Sequence, residues 1–166
     1  VMIEVSIDSI RISLVSQHRI VMLKDIDSEQ QLAIWIGPYE AEAITIELQN
    51  TEVARPLTHD LLKNAIEELG GTISHILIND LRNQVFHATL FVDVDGDVKE
   101  IDCRPSDSIA LAVRAKAPIF VEEHVMEAAG ILPEPDMQEE VGEASEESLD
   151  AFSDFVDTLD FDELDD

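Results

Sequence analysis

Two short runs carry the residue types from which an anion site or a hydrolytic centre is built. One is Arg104, Pro105, Ser106 and Asp107; the other is Arg55, Pro56, Leu57, Thr58, His59 and Asp60. In each, a guanidinium is followed by proline, a hydroxyl, an acid and an apolar stretch. The residue before a proline is pushed toward extended geometry and the proline suits the edge of a helix, so both arginines are predicted at helix starts. Ser106 is expected to cap the later helix by accepting an amide bond, with Asp107 facing the positive end of the helix dipole. A guanidinium beside free helix-terminal amides and a carboxylate suits an anion or a metal-bound phosphate. The same residues equally suit a structural role, in which each arginine pairs with a nearby acid and locks the helix start. His59 adds a ring able to act as general base or metal ligand.

The elements that must position these residues follow from periodicity. Ile3, Val5 and Ile7 alternate with polar residues, as do Ile10, Ile12 and Leu14, but on opposite parity. A bulge near Asp8 and Ser9 reconciles the two sets. With Ile20–Leu23 and Leu32–Ile36 this predicts a three-stranded antiparallel meander. Gly37-Pro38 opens a first helix bearing Glu40, Glu42 and Glu47, acids that suit the helix dipole or a divalent cation. Trp35, just before it, is read as core. A second helix is predicted from His59 to Leu69 with Leu61, Leu62, Ala65, Ile66 and Leu69 inward and Gly70 or Gly71 as its stop. Thr72–Ile78 reads as a strand, then a loop through Gln84. Val85–Val94 alternates with Phe86, Ala88, Leu90, Val92 and Val94 on one face, and Asp95-Gly96 signals a hairpin returning through Asp102. The acids Asp93, Asp95 and Asp97 lack the glutamate that would complete a calcium loop. Ile109, Ala110, Val113 and Ala117 give the third helix, stopped by Pro118, and Ile119–Val121 a short buried strand. Glu122–Ala129 reads as a last short helix closed by Gly130, and Pro133 as the domain's edge.

Composition bounds the rest. The chain has 166 residues, 45% of them hydrophobic, enough for one sizeable core. Its formal charge is −27, and residues 134–166 hold 15 acids and no Lys or Arg, which leaves 22 acids against 10 bases before them. Neither part has the cationic surface by which proteins neutralise nucleic-acid phosphates, so nucleic acid is disfavoured by net charge unless a local patch or bridging ions supply it. Cys103 is the only cysteine, which excludes an intramolecular disulfide and thiolate clusters. With no apolar run near the ~20 residues that span a bilayer and no basic-then-apolar start, a cytoplasmic protein with no membrane partner is expected. Three parts are expected: a domain over 1–133, an acidic linker over 134–147 and an acidic amphipathic helical tail over 148–166. In the tail Leu149, Phe152, Phe155, Val156 and Leu159 recur at helical spacing, which suits docking on the chain's own body or on a partner.

Three blocks, LAIWIGPYEAEAI, ARPLTHDLLKNAIEELGG and IDCRPSDSIALAVRAKAPIFVEE, together resemble the bifunctional nuclease domain family, formerly an uncharacterised bacterial domain. The resemblance runs over roughly residues 1–133. Cys103 and Ser108 stand where the third block usually has alanine. The acidic segment ending in DAFSDFVDTLDFDELDD replaces the UVR-type helical extension of some relatives. The resemblance implies an α+β roll, an antiparallel or mixed sheet with helices packed on it, in a homodimer or larger oligomer. It also implies a nuclease acting on RNA and DNA.

Carried over position by position, the resemblance nominates Asp60, Asp102, Asp107 and His59 for catalysis. Arg55, Thr58, Arg104 and Ser106 are nominated for phosphate, and Glu40, Glu42, Asp60 and Asp107 for a Mg²⁺ or Mn²⁺ ion. Carboxylates with a divalent ion activate water, and the two arginines meet the charge on phosphorus. The competing expectation is a non-catalytic binding or regulatory module for a phosphorylated ligand or an acidic peptide.

Overall fold

The computed structural model describes residues 1–133; the expected linker and tail lie outside the described residues. Strands β1 (Met2–Ile12), β2 (Arg19–Asp25) and β3 (Gln31–Ile36) lead into helices α1 (Pro38–Leu48) and α2 (Thr58–Glu68). Strands β4 (Gly71–Arg82), β5 (Val85–Val94) and β6 (Asp97–Cys103) follow, then α3 (Pro105–Ala115), β7 (Ile119–Glu122), α4 (Glu123–Ala129) and β8 (Gly130–Ile131). The eight strands form one sheet in the order β6-β5-β4-β7-β1-β2-β3-β8. Every neighbouring pair is antiparallel except β4 and β7, so the sheet is mixed and the α+β expectation holds.

Local chemistry accounts for most of the path. β1 pairs with β2 through a register shift between Ile7 and Ser9, the bulge that the parity change requires. Asp95 and Gly96 both take positive φ, 55° and 83°, as a two-residue hairpin with the twist of its strands demands. Gly70, at φ 88°, ends α2 in the left-handed region where L side chains are disfavoured. β4 runs further than the alternation suggests, through Arg82, because bulges at Ile73/His75 and Ile78/Asp80 restore pairing after the apolar pattern fades. The loop expected over 79–84 is therefore a tight turn at Asn83 and Gln84, both at positive φ.

Three other expectations are corrected. Ser106 is not the cap of α3: Arg104 is, with extended backbone and no side-chain cap bond, because Pro105 takes the first helical position and Ser106 turns into the interior. The apolar row of α2 does not face the core. Leu61, Leu62 and Leu69 are exposed, Ile66 is half-buried, and His59 is the helix's buried residue, since the first turn is anchored by charge rather than by leucines. Trp35 is 59% exposed, on the face of β3 opposite Ile34 and Ile36.

α3 positions everything else. It touches α1, α2, β4 and β5, and buries Pro105, Ser106, Ser108, Ile109, Ala110, Leu111, Ala112 and Arg114. Full burial of Ile109 and Leu111 contributes roughly 1.5–3 kcal/mol each, while the small residues between them let the neighbouring backbones approach. Arg114 is an exception among these apolar neighbours, with its side chain 3% exposed. Its Nε donates to Asp60 Oδ1 at 2.7 Å, Nη2 to the Ala43 carbonyl at 3.0 Å and Nη1 to the Ala110 carbonyl at 2.9 Å. One guanidinium thus joins α2, α1 and α3. Asp60 Oδ2 in turn accepts the Leu57 amide at 2.8 Å, closing the first turn of α2. Removing one partner of such a buried pair strands the other charge, so Arg114→Met is expected to lower the unfolding free energy by about 3 kcal/mol. Adding Asp60→Leu should recover part of that loss. Urea denaturation of the two variants measures both, and a loss below about 0.5 kcal/mol for Arg114→Met would place the clamp elsewhere.

Candidate functional site

The first turns of α1, α2 and α3 open onto one cleft of about 380 Å³, lined by Glu40, Glu42, Thr58, His59, Arg104 and Asp107 among others. Proline explains two of these starts. Pro38 and Pro105 each stand at the first position of their helix, leaving Gly37 and Arg104 extended before them. α2 begins differently: Leu57 is the residue before the helix and Pro56 precedes it.

At the centre stands Asp107. Its Oδ1 lies 2.9 Å from His59 Nε2, and its Oδ2 accepts from Arg104 Nε at 2.8 Å. Arg104 Nη2 reaches 2.9 Å to Glu40 Oε1 from α1. Burial of Asp107 opposes its ionisation, but the hydrogen bonds from Arg104 and His59 and the charge of Arg104 outweigh that cost and hold its carboxyl below the ordinary range. An ionised carboxylate only accepts, so the bond to His59 places a proton on Nε2; in the neutral ring the lone pair is then on Nδ1. Chemically this is an oriented base. Arg104 is likewise held charged, by its bonds to Asp107 and Glu40. Its side chain is nevertheless 67% exposed, which leaves donors of its fork open to an anion.

The residues nominated from sequence divide. Glu40, Glu42, Thr58, His59, Arg104 and Asp107 share the cleft, although 67 positions separate Glu40 from Asp107 in the chain. Asp60 does not join them; it is turned to Arg114. Asp102 lies exposed on β6, opposite Thr89. Arg55 is exposed and makes no hydrogen bond or ion pair with the described residues. Ser106 is buried and lines a second cavity next door. Sequence reasoning missed Arg114, yet a signal was there: Asp107, Ala110 and Arg114 fall at i, i+3 and i+7 on one helical stripe, and a cation on a buried stripe requires an acid opposite it. Of the four residues nominated for a Mg²⁺ or Mn²⁺ ion, Glu40, Glu42 and Asp107 line the cleft and Asp60 does not. Asp60 is committed to Arg114, both oxygens of Asp107 are engaged, and no group of three His, Cys, Asp or Glu side chains is arranged to hold a metal among the described residues.

Comparison with known proteins follows the same blocks. Residues 21–134 match the bifunctional nuclease domain family. An uncharacterised protein of Mycobacterium tuberculosis (strain ATCC 25618 / H37Rv) is 37% identical over 157 residues, 94% of each chain. Bifunctional nuclease 2 of Oryza sativa subsp. japonica is 31% identical over 118 residues, 69% of this chain and 36% of its own. Bifunctional nuclease 1 of Arabidopsis thaliana is 29% identical over 87 residues, 51% of this chain and 27% of its own. The match thus spans about a third or less of either plant protein.

Asp60 and Asp107 also set how the fold answers acid. For Asp60, burial again opposes ionisation and is outweighed by the Leu57 amide and Arg114, so its folded value too is lowered. A depressed folded value contributes stability that is complete above the ordinary aspartate value of about 3.9 and is lost as pH falls from there through the folded value. Stability is therefore expected to fall below about pH 4, and Asp60→Asn to flatten that fall. Urea midpoints between neutral and strongly acid pH test this; parallel curves for the two proteins would assign acid sensitivity to other carboxylates.

Proposed function

We propose, for a chain that belongs to the bifunctional nuclease domain family, that the cleft between the three helix starts hydrolyses phosphodiester bonds of RNA and DNA. The observation that carries this reading is the His59–Asp107–Arg104 constellation. Asp107 orients His59, whose Nδ1 takes a proton from an incoming water; the water oxygen bonds to phosphorus as the P–O bond to the leaving sugar oxygen breaks, and that oxygen takes its proton from solvent. The exposed donors of Arg104 meet the charge that grows on the phosphoryl oxygens. Thr58, at the mouth of the cleft, is a further donor for phosphate. Glu40 holds Arg104 in place from α1. In this reading Asp60 is structural, and Asp102 and Arg55 are outside the machinery. The ligands expected for a divalent ion do not fit the arrangement, so no step is assigned to one.

His59→Gln, Asp107→Asn and Arg104→Ala are each expected to lower kcat/KM on single-stranded RNA and DNA by at least about a hundredfold while the circular dichroism spectrum is unchanged. Asp102→Asn should keep full turnover. Activity equal in EDTA and in Mg²⁺ or Mn²⁺ is expected; a strict requirement for the ion would return Glu40 and Glu42 to the role of ligands. One observation favours a second reading, a binding module: Glu40, Glu42 and Asp107 outnumber Arg104 in the cleft, which weakens its hold on a polyanion. Saturable binding of a phosphorylated ligand to protein that cleaves neither polymer would establish that reading instead.

A further inference from the structure

Beside the cleft lies a second cavity of about 440 Å³, lined by Trp35, His18, Gln84, Phe86, Arg104 and Ser106 among others. Its walls come from places far apart in the sheet. β3 supplies Trp35 and the β4–β5 turn supplies Gln84, with four strands between β3 and β5, so the sheet curls until these parts meet. Arg104 lines both cavities and is their common wall.

We infer that this second cavity is a nucleobase platform, on which an unpaired base of a single-stranded RNA or DNA stacks against Trp35 while its phosphate is held at Arg104. This inference rests on the hydrolytic reading above and names the form of substrate that site takes. Trp35 is more than half exposed, an unusual position for the largest apolar ring, and its indole is braced edge-on by His18 at 5.3 Å between ring centroids. A braced aromatic face stacks on any base, so the platform takes any sequence and either sugar. Phe86 continues the apolar lining. Gln84, held in a left-handed turn at φ 64°, brings an amide with both donor and acceptor to the rim. A base within a duplex is stacked on both faces and cannot reach this wall. Residues 1–133 carry 22 acids against 10 bases, so binding through stacking and a single guanidinium should depend only weakly on salt.

Trp35 is the sole tryptophan, so its emission reports directly on this wall. The test uses the full chain carrying His59→Gln, which by the proposal above binds without cleaving, titrated with oligothymidylate, oligouridylate, a blunt duplex of equal length and inorganic phosphate. Saturable quenching by both single strands and none by duplex or phosphate is the expected result. In the chain with His59 intact, Trp35→Ala should raise KM about tenfold with kcat little changed, and Trp35→Phe should retain most of the affinity. Hydrolysis of single strands without quenching, or with Trp35→Ala at unchanged KM, would remove the platform and leave the hydrolytic reading standing. Quenching by single strands in a chain that never cleaves would keep the platform and remove the hydrolysis. Equal quenching by duplex would overturn the single-strand assignment.

Discussion

The arrangement of the three helix starts depends on one buried guanidinium. Arg114 draws Asp60 of α2 and the Ala43 carbonyl of α1 onto α3, and it does so from a position nearly sealed from water. A charge in that position is stable only when its donors are satisfied, so the geometry of its acceptors is imposed on the helices that carry them. Without leucines turned inward, α2 has little else to fix its first turn. His59 is placed as a consequence: Asp60 faces one end of α3, and its chain neighbour faces Asp107, about 10 Å back along the same helix.

Asp107 is the second point of convergence, and it ties His59 to Arg104. The same carboxylate fixes the tautomer of His59 and the fork of Arg104. Its ionised form is favoured by both partners against the cost of burial, so Asp107 and Arg104 are coupled in charge as well as in position. Glu40 extends the coupling to α1. The cleft is therefore held by ion pairs and hydrogen bonds rather than by apolar packing.

The strands, their hairpin and their bulge were legible because they rest on neighbours in the chain. Asp95-Gly96 demands a tight turn wherever it occurs, and the parity change after Ile7 demands a bulge. The helix starts at Pro38 and Pro105 are legible for the same reason. The extension of β4 to Arg82 was not, since its last residues pair through bulges that carry no periodic signal. Nor was the exposure of Trp35: alternation assigns it to a face of β3, but whether that face meets a helix or solvent depends on how the sheet curls.

At the site, the sequence alone determined the stock of groups: Arg104 with Asp107, His59 with Asp60, and glutamates at the start of α1, each bound to a helix start by local stereochemistry. Tertiary structure decided their partners. His59 and Asp60 are adjacent, but successive residues of a helix point about 100° apart, so one reaches the open cleft and the other a buried arginine. Arg104 and Arg55 begin alike, yet only Arg104 stands where three helices meet. Hydrogen-bond reach is about 3 Å and the sequence separations exceed 40 residues, so which acid answers which base is a property of packing that no local pattern encodes.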